Sequence, residues 1–106
     1  MEQITPQLAA ERLAGGWAPF VLDVRTQEES AAASLDFTDI LCPHDALHRV
    51  KDLIPKDREI LVYCAMGGRS TYACQWLEAL GFTGLYNLDG GIRGWADQVD
   101  PSLKPK

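Results

Sequence analysis

Cys64 opens the run Cys64-Ala65-Met66-Gly67-Gly68-Arg69-Ser70, directly after the apolar stretch Ile60-Leu61-Val62-Tyr63. Glycines at 67 and 68 allow backbone angles closed to other residues, so that successive N–H groups can turn inward as an anion-binding nest. A helix beginning at about Ser70 adds unpaired N–H donors and a partial positive charge. Such surroundings favour a thiolate and lower a cysteine pKa from ~8.5 into the range ~3.5 to 7.5. Cys64 then acts as a nucleophile near neutral pH without a histidine base. The alternative is a small core thiol, the common state of free cysteine.

The flanking elements place this loop. Thr5-Pro6 is an N-cap with proline at the first helical position, predicting a short helix from about Pro6 to Ala14. Phe20 to Val24 and Ile60 to Tyr63 are continuous apolar runs, the pattern of strands buried on both faces of a parallel sheet. Thr26 caps a brief helix through Ala33, and Phe37 to Cys42 is expected to be a further strand. Ala46, Leu47, Val50, Leu53 and Ile54 recur at helical spacing before Pro55, and Ala73, Cys74, Leu77 and Leu80 repeat a helical face stopped by Gly81. Leu85 to Leu88 is expected as the last strand and Ile92 to Val99 as the last helix. Alternating strands and helices predict an α/β three-layer sandwich with a mostly parallel central sheet of about five strands. Ligands in such sheets bind beyond the carboxyl ends of the strands, where Cys64 lies.

Composition narrows the function classes. The 106 residues, 46% of them hydrophobic, suffice for one core: residues 1–99 are expected to form one domain and 100–106 a flexible tail. A net charge of −5 without a basic stripe argues against nucleic-acid and anionic-membrane surfaces. Arg69 is the only charged residue between Ile60 and Leu77. With no leader-like start and no membrane-length apolar run, a cytoplasmic location is expected. Three unpaired cysteines, at 42, 64 and 74, suit reduced thiols. Cys74 shares an apolar face with Leu77 and is expected in the core. Cys42, His44 and His48 lack a fourth ligand, so no metal site is expected. Neither a glycine-rich dinucleotide motif nor a phosphate loop with lysine is present, and no cofactor is expected.

Cys64, Gly67 and Arg69 match the Cys-x-x-Gly-x-Arg active-site loop of the rhodanese family, which the chain resembles over nearly its whole length. Asp23-Val24-Arg25 with Glu29 upstream, and Gly81-Phe82 through Tyr86-Asn87-Leu88-Asp89-Gly90-Gly91-Ile92 to Trp95 downstream, extend the likeness. The resemblance implies a rhodanese-like domain in which Cys64 carries a sulfane sulfur as a persulfide. The donor would be thiosulfate or a small-molecule or protein persulfide, and the acceptor cyanide or a thiol. Ala65, Met66, Gly67, Gly68, Arg69 and Ser70 would surround the sulfur or its anionic donor. Asp23, Arg25 and Glu29 would support the strand end, and Gly90-Gly91 and Trp95 would serve as turn and packing anchor. The chain departs from the family at Ser34-Leu35-Asp36-Phe37-Thr38, where a His-Ile-Pro-Gly-Ala stretch is usual. It departs again at Ala65, a position often basic in thiosulfate-using members, so poor use of thiosulfate is expected. Two rival functions remain: a cysteine-dependent phosphatase or arsenate reductase, and a non-catalytic binding or sulfur-carrier module. The phosphatases place five residues between Cys and Arg, whereas here there are four, Ala65 to Gly68, a ring better suited to one sulfur than to a phosphate.

Overall fold

The two continuous apolar runs form the middle of the sheet. Phe20–Asp23 (β2) and Ile60–Tyr63 (β4) are buried at every residue and pair in parallel, Phe20 beside Ile60 and Asp23 beside Tyr63, in a computed structural model describing residues 1–106. Leu85–Leu88 (β5) lies on the other side of β4, and Ile40–Leu41 (β3) lies outside β2. Glu2–Ile4 (β1) completes the five-stranded parallel sheet, in the order β1-β5-β4-β2-β3.

Alternate residues of the central strands feed two cores, as pleated strands require. Leu22, Val62 and Leu85 pack with Ala73, Cys74 and Leu77 of helix α3, Gly68–Ala79. Val21, Leu61, Tyr63 and Leu88 pack on the opposite face with Ala9 of α1, Pro6–Ala14, and with Ile92 and Trp95 of α4, Gly91–Gln98. The predicted three-layer α/β sandwich is therefore the observed one. The helix capped by Thr26 is α2, Gln27–Ala32; Thr26 and Glu29 form a reciprocal capping box there. No helix is long and apolar enough to cross a membrane.

Three local expectations differ from the structure. The helical spacing after Ala46 belongs to two 3-10 turns, Leu47–Arg49 and Lys51–Leu53, separated by Val50 at φ −122. Buried Leu47 and Ile54 pin this segment to the core, so its apolar positions mark anchor points and not one helical stripe. The strand expected from Phe37 to Cys42 shrinks to two residues. Thr38 closes a turn on the Leu35 carbonyl (3.1 Å from its N–H), and the Asp39 carboxylate accepts the Val21 N–H at 2.8 Å where a longer strand would continue. Helix α3 begins at Gly68, with Gly67 as its N-cap, two residues before Ser70. Beyond α4, Leu103 of the tail packs against the second core, and the Arg93 guanidinium donates to the Lys106 carbonyl at 2.8 Å.

Candidate active site

Cys64 follows β4 directly, so its position is set by the most buried strand of the sheet. The chain then reverses through Gly67, whose φ of +117 lies in the left-handed region that side chains resist. Gly68 is already helical and has open space where a Cβ would stand, so only the first of the two glycines is required by backbone geometry. The turn aims the Gly67 N–H at the Cys64 Sγ, 3.0 Å away, and brings the Ser70 Oγ to 3.3 Å from the same sulfur.

Cys64 is 1% exposed, and burial alone pushes its thiol pKa up. Hydrogen bonds from the Ser70 hydroxyl and from the N–H groups of Ser70, Gly67 and Met66 outweigh that burial, leaving the pKa below the ordinary thiol value. The stabilisation is dipolar: donors at a helix start surround the sulfur, in the manner of an anion nest.

A second helix start braces the loop from behind. The N–H groups of Ile92 and Arg93, in the first turn of α4, donate to the carbonyls of Cys64 (2.9 Å) and Ala65 (3.1 Å). These bonds hold the loop carbonyls on the α4 side while the amides of Gly67 and Ser70 face the sulfur. The approach is so close that a Cβ on Gly91 would sit 2.5 Å from the Cys64 carbonyl oxygen. Gly91, read from sequence as a turn residue, is thus packed against the backbone of Cys64 and Ala65.

Asn87 of β5 is 1% exposed, and sequence reasoning assigned it no role. Its side-chain oxygen bonds the Ser70 hydroxyl, while its amide nitrogen donates to Gln3 Oε1 (2.8 Å) and Thr71 Oγ1 (3.2 Å). The Ser70 hydroxyl has one proton and three acceptors in reach: Cys64 Sγ, the Gly67 carbonyl at 3.1 Å, and Asn87. A polar residue within the apolar run Leu85 to Leu88 was the available signal.

Arg69 is held by a carboxylate from α2. Its guanidinium forms a two-pronged pair with Glu29, 2.7 Å on each prong, across 40 residues of sequence. The Arg69 pair, aided by the Thr26 cap, pulls the Glu29 carboxyl down to about 2. Asp23 and Arg25 form a clamp at the end of β2, both fully buried. Arg25 Nε and Nη2 donate to the Asp23 carboxylate at 2.9 and 2.8 Å, and Nη2 also donates to the Ala33 carbonyl. Arg25 Nη1 also donates to the Glu29 carbonyl at 3.4 Å, so Glu29, grouped with them from sequence, joins this clamp through its backbone while its carboxylate holds Arg69.

Outside the loop, His44, Asp45, Gly68, Arg69 and Tyr72 line a shallow hollow of about 290 Å³. His44 meets the Tyr72 ring edge-on, centroids 5.7 Å apart, and the side chain of Met66 is exposed at the loop tip. The buried Cys42 thiol donates to the Ala46 carbonyl at 3.3 Å, and Cys42, His44 and His48 are not gathered into a group able to hold a metal. Cys74 is fully buried, and burial pushes its thiol up to about 12.

A parallel sheet with a hydrogen-bonded cysteine in the loop at the carboxyl end of its middle strand defines the class of α/β domain. Residues 5–98 match the model of the Rhodanese-like domain, and the chain belongs to that family. A sulfurtransferase of Allochromatium vinosum is 33% identical over 106 residues, covering all of this chain and 98% of that protein. The adenylyltransferase and sulfurtransferase Uba4 of Ogataea parapolymorpha is 31% identical over 92% of this chain, which spans 25% of that longer protein. The crystal structure of a rhodanese-like domain protein from Staphylococcus aureus superposes with a TM-score of 0.84 at 29% identity, covering 100% of this chain and 99% of the other.

Proposed function

We propose that the protein is a sulfurtransferase in which Cys64 takes up a sulfane sulfur as a persulfide and hands it to a thiophilic acceptor. Membership of the Rhodanese-like domain family and an end-to-end relative named sulfurtransferase support the class of activity. The observation that carries the mechanism is the Cys64 sulfur held 3.0 Å from the Gly67 N–H at the start of α3. Hydrogen bonds to a charged acceptor are worth ~1.5 to 3 kcal/mol each, enough to favour a thiolate or persulfide anion in a buried site.

In the first step the Cys64 thiolate attacks the outer sulfur of a donor R–S–SH. The new S–S bond forms as the donor's S–S bond breaks, and R–S⁻ leaves with the electron pair. With thiosulfate the leaving group is sulfite. In the second step a thiolate or cyanide attacks the outer sulfur, and Cys64 departs as thiolate into the same set of amides. No proton has to be removed by a histidine in either step. Ser70 can turn its single proton from Asn87 to the sulfur when negative charge develops there.

Exposure to a donor is expected to add one sulfur atom to the Cys64 peptide, removable by cyanide or dithiothreitol, and Cys64→Ser is expected to abolish both loading and transfer. Transfer retained by a folded Cys64→Ser protein would sink the mechanism. Failure of every donor to load Cys64 would leave a binding module. Aryl phosphates are expected to resist hydrolysis, because the ring from Cys64 to Arg69 is short and Arg69 is engaged by Glu29.

A further inference from the structure

We infer that Glu29 sets the donor class: by pairing with Arg69 it cancels the one positive charge at the nucleophile loop, so the site disfavours anionic donors and takes persulfides of no net charge. This deepens the sulfurtransferase reading and rests on it for the word donor.

Arg69 is the sole charged side chain between Ile60 and Leu77, so any cationic attraction near Cys64 from the loop must come from it. Each of its outer nitrogens donates, at 2.7 Å, to a different oxygen of one carboxylate. That carboxylate is held in place independently of Arg69, because Thr26 donates to Glu29 Oε1 through both its N–H and its hydroxyl, each at 3.1 Å. The pair is only partly exposed, 30% for Arg69 and 19% for Glu29, which limits solvent competition for the fork. The adjoining hollow supplies no second cation from lysine or arginine and adds the carboxylate of Asp45. An approaching dianion such as thiosulfate therefore meets two carboxylates and one guanidinium, together with backbone donors already turned onto the sulfur.

Glu29→Gln tests this with little collateral change, since glutamine keeps an acceptor oxygen for Thr26 while removing the charge. The first readout is alkylation of Cys64, followed on its own peptide, by iodoacetate and by iodoacetamide. The ratio of the two rates reports local potential and cancels any shift in the thiolate population. Glu29→Gln is expected to raise the anionic-to-neutral ratio about threefold at low salt, with the gain shrinking as salt is added. Arg69→Gln is expected to lower it by a similar factor, and the double variant to return it close to the starting value. The second readout is donor preference: Glu29→Gln is expected to improve kcat/KM for thiosulfate relative to cysteamine persulfide about tenfold, since a dianion feels the charge twice over. A folded Glu29→Gln protein with an unchanged alkylation ratio overturns the inference. So does a raised ratio with unchanged donor preference. If Glu29→Gln does not fold, Arg69→Gln decides alone, and an unchanged ratio there is equally fatal. Alkylation requires no sulfur transfer, so a protein that never loads sulfur defeats the sulfurtransferase reading without touching the charge measurement.

Discussion

The chemistry at residue scale is a contest over one sulfur between burial, which favours the neutral thiol, and donors, which favour the anion. Ser70 is the donor whose side chain can be removed without remodelling the backbone. Its loss subtracts about 1 kcal/mol or more from the thiolate and so moves the pKa upward. Ser70→Ala is accordingly expected to move the pH midpoint of Cys64 alkylation by iodoacetamide to higher pH, slowing sulfur uptake near neutrality while leaving the rate at high pH close to that of the unmodified protein. An unmoved midpoint would mean that the backbone amides alone set the thiolate. Asn87 is a positioning residue in the same network, since it reaches the sulfur only through Ser70. Cys74 offers an internal control. With its thiol pushed up to about 12 while that of Cys64 is pulled down, it is expected to stay unmodified under conditions that alkylate Cys64 fully.

At the scale of elements, the site is a strand end and two helix starts. Gly91→Ala would place a methyl 2.5 Å from the Cys64 and Ala65 carbonyls at a residue with φ of +61. It is expected to cost more than ~2 kcal/mol of stability and to displace the nucleophile loop. Gly68→Ala, with helical backbone and open space, is expected to change stability by less than ~1 kcal/mol. Thermal melts of the two variants check the contrast, and equal losses would refute the bracing role of α4. Much of this was legible beforehand: Phe20 to Val24 and Ile60 to Tyr63 read as buried strands, and the glycines after Cys64 announced the turn. Thr5 and Pro6 marked α1, where the Thr5 hydroxyl accepts the Leu8 N–H at 3.2 Å. Other elements carry no local signal. β1 is three residues long with only Ile4 buried, and its pairing depends on β5, which lies far along the chain. The 3-10 turns imitate helical spacing because both ends are pinned to one core. The Arg69–Glu29 pair was illegible for a different reason, since nothing local links two charges 40 residues apart and only the fold brings them together.

For the molecule as a whole, that pair also couples stability to acidity. Glu29 has a folded-state pKa of about 2, below the ordinary carboxylate value of ~4.3 expected in the unfolded chain. The unfolded state therefore binds the proton more readily, so the contribution is complete above ~4.3 and is lost as pH falls toward 2. The Tm difference between the unmodified protein and Glu29→Gln is expected to be largest near neutrality and to vanish across that window. A difference constant with pH would show that the loss is steric and not ionic. The sheet order has a kinetic corollary. Gln3 tethers Asn87 across 84 residues of sequence, because β1 and β5 are neighbours in space. Long-range parallel pairings form slowly, after local helices and nearer contacts. During refolding, far-ultraviolet ellipticity is thus expected to recover before the fast thiol reactivity of Cys64. A newly collapsed chain would hold Cys64 in place but leave its thiol slow to react, quickening only when its most distant strands meet.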